Sequence, residues 1–199
     1  MCKAGWFFAP KETKRITTHK FKSEKMTKTQ LFIMTLISSA LFLTVNTDAI
    51  AKDERDLLGS FRDWDTFKIT SDNGNKQCYM ISTPTTSTPK GANRGSIYLT
   101  ITHVPHLKRH NEINTVIGYP FKVNSEATVS VGKRRFRMFT SGDGAWLSTP
   151  KQDLDLVSVM KKGSSLVIRG QSKRGTRTAD TYSLMGFTAA YNTITKACN

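Results

Sequence analysis

Most of residues 52–199 reads as short strands between turn signals, and in the clearest of them apolar and polar residues alternate. The clearest case is 96–103, where Ile97, Leu99 and Ile101 point one way and Tyr98, Thr100 and Thr102 the other. A period of two predicts a strand with one buried face. The same reading predicts strands over 60–69, with Phe61, Trp64, Phe67 and Ile69, and over 76–82, after an Asp72-Asn73-Gly74 turn. It predicts a hairpin from 127–131 and 134–140, closed at Gly132-Lys133. A strand at 145–148 follows the Gly142-Asp143-Gly144 turn, and strands at 165–171 and 178–184 are joined through 172–176. Residues 83–93 hold no apolar anchor and read as a loop. Short strands at this spacing imply a sandwich or barrel.

Two segments depart from that period. Thr149-Pro150-Lys151-Gln152 predicts a helix start, with Thr149 as N-cap, Pro150 in the first helical position and Gln152 completing a capping box. Leu154, Val157 and Met160 are expected to line its buried face, and Gly163 to stop it. Over 187–197, Phe187, Ala190, Tyr191 and Ile194 share one helical face that continues to Cys198. The expected fold is mainly β, with one short internal helix and a C-terminal helix.

The start of the chain follows another pattern. Lys28, an apolar run over 31–45 and Asp48-Ala49-Ile50-Ala51 have the basic, apolar and small-residue parts of a secretory signal spanning 26–51. The run holds 15 residues, short of the roughly 20 that a membrane-spanning helix needs. Residues 1–25 are basic and without apolar period, a mis-assigned start or an extended leader, so translation begins at Met1 or at Met26. Cleavage after Ala51 leaves a single domain, 52–199, which is not an integral membrane protein. Its destination is the periplasm, the outer-membrane surface or the medium.

Export changes the meaning of charge and cysteine. The whole chain carries +15, and residues 52–199 carry 22 basic and 12 acidic residues, a net +10. Such a surplus suits anionic partners, while export excludes nucleic acid. The partner classes left are acidic host glycans, host surface proteins and anionic lipids of the bacterial envelope. With Cys2 removed, Cys78 and Cys198 have only each other in an oxidising compartment, and one disulfide is expected.

Two constellations carry potential chemistry. His103, His106 and His110 fall within eight residues and present imidazoles of the kind that bind Zn²⁺ or Cu²⁺. Against this, Pro105 breaks the helical spacing that would align them. The expectation is therefore no metal and no cofactor, with these histidines as the alternative. In the stretch 133–139, alternation places Lys133, Arg135 and Arg137 on one face and Phe136 and Met138 on the other. Lys173, Arg174 and Arg177 form a second basic group, and the six together are the candidate anion-binding residues. No Gly-x-Ser-x-Gly elbow and no unbridged Cys-His pair occurs. No catalytic residues are assigned, and no enzyme is expected.

Several ordered motifs together resemble the invasion-associated locus B family of alphaproteobacteria. They are Gly118-Tyr119-Pro120-Phe121, Gly142-Asp143-Gly144-Ala145-Trp146, Arg174-Gly175-Thr176, Asp180-Thr181-Tyr182-Ser183-Leu184 and Gly186-Phe187-Thr188-Ala189-Ala190, closing at Cys198. The resemblance runs from Trp64 and Cys78 onward. It implies an immunoglobulin-like β-sandwich, export to the envelope and, in pathogens, a part in invading host cells such as erythrocytes. It implies no enzymatic activity. The competing readings are an envelope-maintenance factor of the periplasm without host contact, and a histidine-based metal-binding protein.

Overall fold

A computed structural model describes residues 54–198. The segments 1–25 and 26–51, with the secretory signal read there, lie outside the described residues. The described residues form eleven strands, two α-helices and one 3₁₀ turn, Pro105–Leu107. The strands are β1 (Glu54–Phe61), β2 (Trp64–Thr70), β3 (Lys76–Ser82), β4 (Thr86–Thr88), β5 (Tyr98–Val104) and β6 (Arg109–Val116). They continue with β7 (Glu126–Val131), β8 (Arg134–Ser141), β9 (Gly144–Trp146), β10 (Ser165–Gln171) and β11 (Arg177–Ser183). The helices are α1 (Pro150–Met160) and α2 (Phe187–Ala197).

All eleven strands join one sheet, in the order β1-β2-β3-β5-β6-β9-β8-β7-β10-β11-β4. Every pairing is antiparallel. The alternation read in the sequence has its cause in burial. Met80, Leu99, Ile101 and Ile113 from one half of the sheet share a core with Val129, Met138, Ile168 and Tyr182 from the other. Two halves of one sheet can share a core only by folding over each other, so the fold is the expected mainly β sandwich. Trp64 ties the layers together. It is 1% exposed, packs edge-on against Phe187 at 5.2 Å and donates from its indole to the Ser183 carbonyl at 3.1 Å. The disulfide joins Cys78 on β3 to Cys198 just past α2, with Cα atoms 5.9 Å apart.

Four local features differ from the sequence reading. The strand expected over 60–69 is two strands, turned at Arg62-Asp63, with Arg62 in the left-handed region at φ 59°. No glycine or asparagine marks that turn. The loop expected over 83–93 contains β4, whose Thr86, Ser87 and Thr88 pair with β11. β6 was not legible because its inward positions are Asn111, Ile113 and Thr115, of which one is apolar. The buried Thr115 hydroxyl donates to the Tyr98 carbonyl at 3.0 Å.

Helix α1 is rotated from the expected face. Asp153, Leu156, Val157 and Met160 are buried, whereas Leu154 is 52% exposed. The stripe keeps helical spacing but begins on an acid, which hydropathy alone passes over. The Asp153 carboxylate accepts from the Ile113 N–H at 3.1 Å and so fastens α1 to β6. The cap is close to the expected one. Thr149 Oγ1 accepts from the Gln152 N–H at 3.3 Å, while Gln152 Oε1 accepts from Ser148, one residue before the N-cap.

Candidate functional site

In an antiparallel sheet, directly opposed residues point to the same side. Across β8, β7 and β10, Arg137 stands opposite Thr128, and Thr128 opposite Arg169. Arg135 lies two residues before Arg137 on the same outer face, and Arg177, opposite Gln171, extends it onto β11. Met138 is buried beneath, so the alternation expected for this stretch holds. Strands lie about 4.8 Å apart, which sets the β8 and β10 arginines about 10 Å from each other. On the outward positions of β7, β8, β10 and β11 the one acid is Glu126, 3.6 Å from Arg137, with both side chains largely in water. A pair so exposed is worth well under about 1 kcal/mol and leaves the face cationic. Among the described residues Arg135, Arg169 and Arg177 make no ion pair.

The same face carries an aromatic pair. Phe139 stands opposite both Glu126 and Trp146, and its ring stacks on the indole at 5.7 Å. Phe139 is 41% exposed and Trp146 half-buried. A side chain on Gly144 would run into the Trp146 ring, so the glycine lets the indole lie flat over β9. The turn leading into β7 adds Lys122 and Val123, both exposed.

The six basic residues expected to act together are divided. Arg135, Arg137 and Arg177 share the outer face with Arg169, which the sequence reading omitted. Alternation between Leu166 and Ile168 would have placed Arg169 outward. Lys133 sits in the β7–β8 turn, at the opposite end of these strands from the 172–176 turn. Lys173 and Arg174 stand instead on the rim of a cleft of about 740 Å³, lined also by Arg94, Tyr119 and Thr178.

Beneath that cleft lies a charge pair that sequence reasoning missed. Arg94 donates to both Asp180 carboxylate oxygens, at 2.7 and 2.6 Å, and from Nε to the Ile117 carbonyl at 2.9 Å. The two side chains are 5% and 1% exposed. The guanidinium also covers the Tyr119 ring at 5.0 Å, and the Tyr119 hydroxyl bonds to Thr178. Burial raises the Tyr119 pKa above its ordinary value, so the phenol stays neutral. Arg94 and Asp180 satisfy each other, and the pair ties the loop before β5 to β11. Nothing in the loop composition around Arg94 signals it.

The three histidines do not assemble. His103 continues the inward face of β5 and is buried, whereas His106 and His110 are exposed. His103 Nδ1 accepts from the Asn111 N–H at 3.0 Å, which fixes the proton on Nε2, and Nε2 faces Thr195 Oγ1 at 3.2 Å. Both ring nitrogens are thereby engaged. Burial, and then the charge of His110, lowers the His103 pKa from 6.5 to about 4. Among the described residues no group of three His, Cys, Asp or Glu is placed to hold a metal ion, and no helix is long and apolar enough to cross a membrane. Residues 64–195 match the family model described as "Invasion associated locus B (IalB) protein". No curated protein and no solved structure matches the chain.

Proposed function

The chain belongs to the invasion-associated locus B family, and from that premise we propose an exported envelope protein that promotes host-cell association and invasion by binding rather than by catalysis. The signal read at 26–51 supplies the route out of the cytoplasm. The contact runs through the outward arginines of β8, β10 and β11, and its partner is a polyanion. One observation supports this most directly: Arg135, Arg137, Arg169 and Arg177 share a face whose single acid is the exposed Glu126. Guanidinium groups in such an array suit the bidentate recognition of sulfate, phosphate and carboxylate. Like charges held on one solvent-exposed face also raise the encounter rate with an anionic surface, and salt removes that gain.

Protease treatment of intact cells, with a periplasmic protein as control, tests the host-contact part of this reading. Loss of the band while the control survives is the expected result. A band that disappears only after outer-membrane lysis refutes direct contact and assigns the same face to the bacterial envelope.

A further inference from the structure

We propose that the arginine face is a docking surface for an anionic phospholipid bilayer, with the Phe139–Trp146 stack as its interfacial anchor. The inference rests on the polyanion reading above and narrows it to one partner. A soluble acidic polymer needs only the cations. A bilayer surface offers two things at once, a plane of headgroup charge and an apolar boundary just below it.

The outer face matches both. Arg137 and Phe139 are two residues apart on β8, about 7 Å along the strand and on the same side. Phe139 is stacked on Trp146 of the neighbouring strand, so arginines and aromatics form adjoining parts of one surface. Aromatic rings with one polar edge favour the membrane–water boundary, and arginine stems reach across apolar surface while the guanidinium stays with the headgroups. The indole lies against Gly144, where a Cβ would run into its ring, and it is half-buried beside Phe139. Lys122 and Val123, the latter 73% exposed, stand in the turn that enters this face beside Glu126. On the outward strand positions Glu126 is the one repulsive group, with Arg137 3.6 Å from it, and Asp143 stands exposed in the β8–β9 turn. Attachment through cations and a shallow aromatic anchor is peripheral and reversible.

The test uses protein purified as the cell exports it. Cosedimentation is measured with vesicles of phosphatidylglycerol in phosphatidylcholine, with pure phosphatidylcholine vesicles and, separately, on immobilised heparin. The expected result is binding to the anionic vesicles, little to the neutral ones, and quenching of tryptophan fluorescence by lipids brominated near the headgroup. Trp64 is buried, so the quenching reports Trp146 and is lost in W146F. Each arginine on the surface is worth about fivefold in partitioning, so R135E/R137E lowers it by at least about 25-fold. F139Q, at an exposed position, weakens vesicle binding and leaves heparin binding unchanged. Heparin binding without vesicle binding overturns the bilayer inference and leaves the polyanion reading standing. Binding to neither overturns both. Vesicle binding that survives R135E/R137E, or that occurs without quenching, overturns the assignment to this face.

Discussion

Replacing Asp180 by Asn should destabilise this protein by about 3–5 kcal/mol. Asp180 is 1% exposed and faces the Arg94 guanidinium through two short charge-assisted bonds. The amide keeps the shape, removes the charge and turns a donor group toward a donor. Arg94 cannot shed its proton, and the Ile117 carbonyl offers it only a neutral acceptor. An uncompensated buried charge costs about 3–5 kcal/mol. For a domain of this size, 1 kcal/mol corresponds to about 3 °C, so D180N should melt roughly 10–15 °C lower. Circular dichroism melts and urea titrations at neutral pH measure the change. The double variant R94M/D180L supplies the control. Removing both charges from a buried site is often neutral or better, so it should recover most of the loss. A D180N melting point within about 3 °C of the parent would refute the reasoning. So would a double variant no more stable than the single one, because the penalty would then not be that of an orphaned charge.

Two further outcomes follow from the core. Reduction of the Cys78–Cys198 disulfide, or its replacement by Ala, opens a closed loop of 120 positions and should destabilise by up to about 5 kcal/mol, read as a lower urea midpoint under reducing conditions. His103 should make stability depend on pH. Its folded pKa is about 4 against 6.5 unfolded, so between those values the unfolded chain binds the extra proton. Stability is therefore complete above about pH 6.5, falls as pH drops towards 4 by an amount on the order of 2–3 kcal/mol, and loses nothing more to this group below that. H103Q should flatten that part of the melting-temperature profile. An unchanged slope would assign the acid sensitivity to other groups.

Strands with a buried face were legible because burial itself imposes the period of two. Leu99 and Ile101 on β5, or Leu166 and Ile168 on β10, announce their strands without help from the rest of the chain. β4 and β6 were hidden for the complementary reason. Thr86-Ser87-Thr88 pairs at the edge beyond β11 and buries little, and β6 fills two of its three inward positions with Asn111 and Thr115. A backbone ladder holds them, and the ladder has no side-chain signature. The α1 face was misread for a related reason, since Asp153 is buried by a hydrogen bond to β6 and not by hydropathy. The candidate site was legible only in part. Alternation reveals which arginines of one strand point outward, but which strands are neighbours is a property of the fold. The β8–β7–β10 order, which aligns Arg137 with Arg169, required the structure.

The residues that carry the family resemblance and those that form the cationic face are different sets, and this bears on how function is distributed. Gly118 approaches Gly95 so closely that a Cβ there would lie 2.5 Å from the Gly95 carbonyl oxygen, and Tyr119 supports Arg94. Gly186 comes against the Phe61 carbonyl with no room for a side chain, and Gly144 makes way for Trp146. Asp180 anchors the buried pair. All of these solve packing problems of this fold. Arg135, Arg137, Arg169 and Arg177 solve none, since each points into water and the one ion pair among them, Arg137 with Glu126, is itself exposed. Each single substitution should leave the melting point within about 1.5 °C, because surface changes away from caps, cores and networks stay within about 0.5 kcal/mol. The architecture can therefore persist while the residues of the outward face change. Trp146 is the exception that joins the two sets, because the glycine that makes room for it also sets its ring flat on the face where the arginines stand.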